Sequence, residues 1–149
     1  MGALSGRYGD YMRERRPPAH IQREFAVLLQ HAQRIFPQLD AFLMIGDSTA
    51  FPAPRNFAYC TTEKIRGKYK IVCSPKILNA DGLRVAALLM HELAHAVLLT
   101  LGLPRHTERE CDKMAEAVYS APIYYDPDLY VQTLDPTDGI RPRPAHLPR

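Results

Sequence analysis

The sequence has few cysteines, and none of them lie in a C-x-x-C pair. Only three of the 149 residues are cysteine, namely Cys60, Cys73 and Cys111. An odd number of cysteines does not make the disulfide framework of a small secreted domain. Without a C-x-x-C knuckle, a nucleic-acid-binding module folded around zinc is also disfavoured. We therefore expect free thiols and a reducing, cytoplasmic compartment.

The sequence also lacks the apolar segments that direct a chain to or through a membrane. Its first residues, MGALSGRYGDYMRERRPP, contain no apolar core of a secretory signal. Its longest apolar stretch is interrupted by His91, Glu92 and His95, so no transmembrane helix is predicted. We expect no association with membranes.

No strong excess of charge is present. The formal net charge is +3, with 46% apolar and 23% charged residues, which is typical of a globular domain. No basic stripe interleaves with aromatic residues, so nucleic acid is not an expected partner. Basic and Pro-rich termini could dock onto a protein partner, although solvated tails are the commoner interpretation of such segments.

The predicted organisation is one domain between two irregular ends. Residues 1–16 are predicted to be a flexible arm, 17–125 the folded domain and 126–149 a Pro-rich tail. Within the domain, apolar residues at helical spacing predict a helix over 21–36, ended by Pro37.

The next part of the chain predicts strands. AFLMIG, 41–46, is typical of a short strand, and FAYCTTEK and KYKIVCSP flank an Arg66-Gly67 turn, which indicates a hairpin. That turn would place Cys60 opposite Cys73. A cross-strand disulfide is then conceivable, but two small buried thiols are the favoured interpretation.

Two further helices are predicted in the second half of the chain. The first begins near Asp81, with Asn79 or Asp81 as its N-cap, and ends at Gly102. The second starts around Thr107. The fold class expected is α+β, with an N-terminal helix, a small mostly antiparallel sheet, and two adjacent helices that carry the polar residues considered next.

The first of these helices contains an H-E-x-x-H motif within an apolar run, MHELAHAVLLT. His91 and His95 are four residues apart, so their imidazoles share one helix face and can converge on one zinc ion. Glu92 is rotated off that line and can reach the water molecule at the metal. Zinc would explain how ionisable groups are accommodated among apolar neighbours, which is otherwise costly. Two satisfied core histidines are the alternative, and we favour one zinc ion per chain.

A catalytic zinc site needs a third protein ligand and an open position for water. On the helix in 106–118, Glu108 falls on the apolar, inward face, whereas Glu110 is rotated about 200° away, toward solvent. Asp112 returns to the inward side, where it can orient an imidazole N–H. Glu108 is therefore the predicted third ligand, Glu110 the fallback and Asp112 the supporting carboxylate. Alternatively, Glu108 is a first-turn acid favoured by the helix dipole.

Together, MHELAHAVLL and ERECDKMAEAV resemble the gluzincin metallopeptidases, in which a Glu-x-x-x-Asp motif on a second helix supplies a ligand and its support. The compact ImmA/IrrE-like and minigluzincin-like peptidases are similar, as is the core of integral-membrane proteases with an E-x-x-A-D motif, where this chain has Cys111. The resemblance covers about residues 55–120 and implies a minimal zincin-like domain. It assigns the ligand to Glu108 and the support to Asp112, and makes the 59–73 hairpin a substrate-binding edge.

The expected activity is zinc-dependent hydrolysis of peptide bonds in a peptide or protein substrate. Glu92 would act as general base beside zinc held by His91, His95 and Glu108. The donor that stabilises the oxyanion is left open among four side chains: His106, Tyr119, Tyr124 and Tyr125.

The alternative is a zinc-stabilised protein of the same fold with little activity. It could be a phage or prophage regulator or a particle-associated assembly component, so the expected location is cytoplasmic or phage-associated. The intact H-E-x-x-H motif favours an enzyme, because a structural zinc ion would not need Glu92. A structural site would also close its fourth position, for which Cys111 and His106 are the nearest spare ligands.

Overall fold

The computed structural model describes residues 14–46, 58–80, 82–120, 123–125 and 140–142. In these ranges the chain has an α+β fold, as predicted. Its elements are β1 (Glu14–Arg15), α1 (Ala19–Ile35), β2 (Ala41–Gly46), β3 (Ala58–Cys60), β4 (Tyr69–Cys73), a 3₁₀ helix (Pro75–Asn79), α2 (Gly82–Thr100), α3 (Glu108–Tyr119), β5 (Ile123–Tyr125) and β6 (Ile140–Pro142).

The main sheet is mostly antiparallel, as expected, but it is mixed because it contains one parallel pair. Its strand order is β1-β2-β4-β3. The outer pairs β1–β2 and β3–β4 are antiparallel, but the central pair β2–β4 is parallel. The parallel pair arises because the second strand of the hairpin, β4, joins β2 and leaves β3 at the edge. Strands β5 and β6 form a separate antiparallel pair.

The hairpin between β3 and β4 turns where the sequence predicts it. Arg66 and Gly67 have φ values of 54° and 81°, and Ile65 pairs with Lys68 across them. Two successive positive φ values are typical of a tight hairpin turn, in which glycine is favoured.

The predicted register of the two cysteines in this hairpin is wrong. Cys73 lies opposite Ala58, and Cys60 lies opposite Ile71. The shift arises because the β3 side carries extra residues after Thr61, whose hydroxyl accepts an N–H of β4 at 2.9 Å. Both cysteines are free thiols.

Helix α1 closes one side of the core. Its inward residues recur at helical spacing and are buried: Ile21, Phe25, Leu28 and Ala32. Ile35, the last residue of the helix, is 51% exposed. These side chains join those of the sheet and of α2 in a single apolar cluster.

Helix α2 runs through that core, and its ends differ slightly from the prediction. Asn79 is not the N-cap, because it ends the 3₁₀ helix and Ala80 follows in an extended conformation. Asp81 lies outside the described residues. At the other end, Gly102 has a φ of 80°, its N–H donates to Leu99 O, and Leu103 N–H donates to Leu98 O. This Schellman-type ending stops the helix at Thr100.

Short strands lie within both the predicted N-terminal arm and the predicted C-terminal tail. Glu14–Arg15, within the predicted arm, pairs with β2, and Lys70 Nζ lies 2.9 Å from the Glu14 carboxylate. Ile140–Pro142, within the predicted tail, pairs with β5. The boundaries at 16 and 125 remain predictions. Among the described residues, no helix is long and apolar enough to span a membrane.

Candidate metal centre

The H-E-x-x-H segment lies on the part of α2 that packs against α3. His91 and Glu92 are 1% and 3% exposed, and their apolar neighbours Leu88, Leu89 and Leu93 are fully buried. Ionisable side chains so deeply enclosed need partners of their own. Two partners of His91 come from α3.

Glu108, on the first turn of α3, brings the two motif histidines together. Its Oε2 lies 2.5 Å from His91 Nε2 and 3.3 Å from His95 Nε2. The two imidazole rings meet nearly edge-on, with centroids 5.0 Å apart. Two imidazole nitrogens and a carboxylate oxygen thus converge on one point, and the exposed Glu108 side chain leaves this point open to solvent.

Asp112 lies behind His91, one helical turn after Glu108. It is 3% exposed, and its Oδ1 lies 3.0 Å from His91 Nδ1. An ionised carboxylate only accepts hydrogen bonds, so Nδ1 carries the proton and Nε2 of the neutral ring presents a lone pair. That lone pair faces a second acceptor, Glu108 Oε2. Only a cation, either a proton or a metal ion, can stabilise this contact.

The electrostatics around His91 favour a positive charge. Burial lowers the pKa of His91, but hydrogen bonds to Asp112 and Glu108 outweigh burial and raise that pKa to about 10. Burial also raises the pKa of Glu108, but its hydrogen bonds to His91 and His95 prevail and hold it well below its usual range. The two carboxylates therefore hold a proton on His91 in the metal-free chain, and a divalent metal ion would take its place.

Glu92 is the buried group that lacks compensation. Its Oε2 is enclosed and has no hydrogen-bond partner among the described residues. Burial raises the pKa of this carboxyl, because the charged form loses its hydration. Because Glu92 interacts electrostatically with His91, His95 and Glu108, its isolated oxygen fits a site that accommodates an ion and its water molecule.

The predicted fallback ligand, Glu110, has a different position. Its N–H donates to Thr107 Oγ1 at 3.1 Å, and its Oε1 accepts from Thr107 N–H at 3.3 Å. The pair forms a capping box, so α3 begins directly after Thr107, as predicted. Glu110 points outward and is not brought to His91 and His95.

Two further side chains contact His95 at its other nitrogen. His95 Nδ1 lies 2.8 Å from His106 Nε2 and 3.1 Å from Cys111 Sγ. Ligand atoms of His91, His95, Glu108 and Cys111 all lie within 4.8 Å of one another, close enough to hold a metal ion. The sequence offered both residues as spare ligands, but no periodicity indicated the contact of His106, which lies in the α2–α3 connection.

Of the four candidates for oxyanion stabilisation, the two whose side chains are described, Tyr119 and His106, have other partners. The Tyr119 hydroxyl donates to Leu28 O at 2.9 Å, on α1. Only the backbone of Tyr124 and Tyr125 is described, and His106 is engaged with His95. The structure therefore assigns no oxyanion donor among the described side chains.

Comparisons with known proteins give no independent assignment: no family model, no curated protein and no solved structure matches the chain. What the centre does must follow from its own geometry.

Proposed function

We propose that this chain is a zinc-dependent endopeptidase. His91, His95 and Glu108 would hold the ion, through two imidazole nitrogens and one carboxylate oxygen, a donor set that suits zinc. The observation that carries the proposal is Glu92, whose buried carboxyl has an unpartnered oxygen. A zinc ion with a purely structural role would give no reason to bury this acid.

When bound, zinc supplies Lewis-acid polarisation of the scissile carbonyl and lowers the pKa of a water molecule. Glu92 accepts the proton of the attacking water and transfers it to the leaving amine. Burial raises the pKa of Glu92 above its ordinary value, which makes its carboxylate a stronger proton acceptor. Asp112 holds His91 in the tautomer that directs Nε2 to the centre.

The sheet offers a position for an extended substrate. Strand β3 is one of the two outer strands of the main sheet and lies alongside α2, which carries the motif. A peptide that adds to such an edge is held by main-chain hydrogen bonds, which do not depend on its sequence. This arrangement favours a peptide or protein substrate.

The test combines metal content with cleavage of a peptide library. Protein purified without added metal is expected to carry near one zinc ion per chain and to cleave some of the peptides. The Glu92→Gln variant is expected to keep its zinc and lose cleavage, because the amide cannot accept the water proton. A folded parent that carries no zinc when purified contradicts the proposal. A Glu92→Gln variant that cleaves peptides as fast as the parent contradicts it too.

A second function has one observation in its favour, namely the thiol of Cys111 in the four-residue group. Bound through that thiol as a fourth ligand, zinc would have no open position and would serve stability. The chain would then be a regulator or an assembly component with the same fold, in a phage or prophage setting. Cobalt substitution separates the two functions, because a thiolate ligand adds an intense near-ultraviolet band that Cys111→Ala abolishes.

A further inference from the structure

The α2–α3 connection places His106 against α2, the helix that carries the H-E-x-x-H motif. After α2 ends at its Schellman turn, His106 lies beside His95, with ring centroids 5.0 Å apart. His106 Nδ1 lies 2.8 Å from Leu103 O, and His106 Nε2 lies 2.8 Å from His95 Nδ1. One backbone carbonyl and two imidazoles thus form a chain of hydrogen bonds that ends at the candidate centre.

The direction of these hydrogen bonds follows from their first member. A backbone carbonyl only accepts, so His106 Nδ1 carries the proton and donates it to Leu103 O. The Nε2 of neutral His106 then presents a lone pair, which accepts from His95 Nδ1–H. With its proton on Nδ1, His95 presents its Nε2 lone pair toward Glu108. The Leu103 carbonyl therefore selects, through His106, the tautomer of His95 that can bind a metal.

We propose that His106 is a positioning residue that holds His95 as a metal ligand, as Asp112 holds His91. The inference rests on the proposed zinc centre. The two histidines differ in how firmly their surroundings hold the imidazole ring. His91 is nearly inaccessible and backed by a carboxylate, whereas the His95 side chain is 17% exposed. Without His106, the His95 ring could rotate or present its other nitrogen.

Two alternatives fit the geometry less well, namely His106 as a direct metal ligand and Cys111 as the hydrogen-bond partner of His95. His106 is not in the group whose ligand atoms lie within 4.8 Å of one another, and its Nε2 is directed at His95. A direct ligand role is therefore disfavoured. Cys111 Sγ also approaches His95 Nδ1, at 3.1 Å, but sulfur is a weak hydrogen-bond acceptor. The imidazole of His106 is the stronger partner.

The experiment measures zinc affinity by competition with a chromophoric chelator, on a matched pair of variants. His106→Leu is similar in size but cannot accept a hydrogen bond, and is expected to weaken zinc binding about 10- to 100-fold. His106→Gln keeps a side-chain oxygen that can accept from His95 and is expected to bind nearly as tightly as the parent. His20→Gln, at an exposed position in the first turn of α1, controls for adventitious binding by histidine. His95→Ala gives the loss expected for a ligand.

A second readout is the nitrogen spectrum of the zinc-loaded histidines. Long-range proton–nitrogen correlations are expected to show His95 protonated at Nδ1 and zinc-bound at Nε2, with His106 unprotonated at Nε2 and not zinc-bound. In His106→Leu, the His95 Nδ1 resonance is expected to shift, an effect that a general loss of stability would not produce at that one nitrogen.

The outcomes separate this inference from the proposed function. A parent that binds zinc while His106→Leu binds it equally well refutes the role of His106 and leaves the zinc centre intact. A loss in both His106 variants as large as in His95→Ala, with a zinc-bound His106 signal in the parent, makes His106 a ligand and overturns the positioning role. A parent without zinc refutes the centre and the role together.

Discussion

At the scale of single residues, Glu108 and Glu110 lie within one turn of α3 but have unrelated roles. Glu108 directs its Oε2 at both motif histidines, whereas Glu110 closes the capping box with Thr107. Glu108→Ala is therefore expected to weaken zinc binding by more than the roughly 100-fold typical of a supporting residue, because a ligand is lost. Glu110→Ala is expected to keep zinc and lower the free energy of unfolding by about 0.5–1 kcal/mol.

Zinc titration and urea unfolding of the same two proteins check both halves of this prediction. Each variant serves as the control for the other, since both remove a carboxylate from the first turn of α3. If Glu110→Ala releases the metal and Glu108→Ala retains it, the helix-face argument that distinguishes them is wrong.

Rotation along a helix explains which of the residue positions could be predicted. At 100° per residue, Glu108 and Asp112 face inward and Glu110 faces outward, and the structure places all three accordingly. No comparable rule covers the α2–α3 connection. The contact of His106 with His95 depends on how α2 ends and on a hydrogen bond to a backbone carbonyl, and neither has a periodic signature in sequence.

At the scale of elements, the end of α2 determines where that connection begins. Gly102 has a φ of 80°, and a Cβ added there would meet nothing within 4 Å. The cost of Gly102→Ala is therefore one of backbone conformation alone, about 1 kcal/mol in the free energy of unfolding. Gly82, the first residue of α2, has equal space but no positive φ. Gly82→Ala is expected to stabilise, because alanine restricts the unfolded chain.

Chemical unfolding of these two glycine variants provides the measurement. Opposite signs are expected for the same substitution at the two ends of one helix. Equal losses would mean that the αL conformation of Gly102 contributes nothing specific to the ending of α2.

The elements themselves were predictable to differing degrees. Helices with regular apolar spacing were placed within a few residues, because local sequence determines them. The register of the hairpin could not be predicted. The hydroxyl of Thr61 accepts a hydrogen bond from an N–H of β4, and extra residues follow Thr61 on the β3 side only. Such a bulge shifts the register by a number of residues that alternating hydrophobicity does not reveal.

At the scale of the whole molecule, the sheet and the three helices enclose one apolar core, with the polar centre between α2 and α3. The α+β class follows from the order of the predicted elements. The parallel pairing of β2 with β4 does not follow from that order, and the sequence does not reveal it, because buried strands in either orientation have similar apolar patterns. The candidate ligands were nevertheless predictable, since each lies on a helix whose inward face the sequence defines.

The same core should make the protein sensitive to alkaline pH. Burial raises the pKa of the Cys73 thiol above its ordinary 9.0, and the charge of Glu92 adds to this rise. Burial likewise raises the pKa of the Tyr119 phenol above its ordinary 10.0. Both groups stay protonated in the folded chain but ionise in the unfolded chain above those values. The contribution of the thiol to stability is therefore complete below its ordinary pKa of 9.0 and that of the phenol below 10.0. Above these values each contribution is lost by about 1.4 kcal/mol per pH unit.

Cys73→Ala tests this through the slope of stability against pH. Urea unfolding between pH 8 and 10.5, in chelator and reductant, is expected to show a decline that is shallower by about 1.4 kcal/mol per pH unit in the variant above pH 9. Ile77→Val, a small change at a buried apolar position, is the control. It should lower the free energy of unfolding by a similar amount at every pH, because it removes volume and no titrating group. Parallel slopes for the parent and Cys73→Ala would show that this thiol ionises as readily in the folded chain as in the unfolded one, and hence that water reaches it through the core.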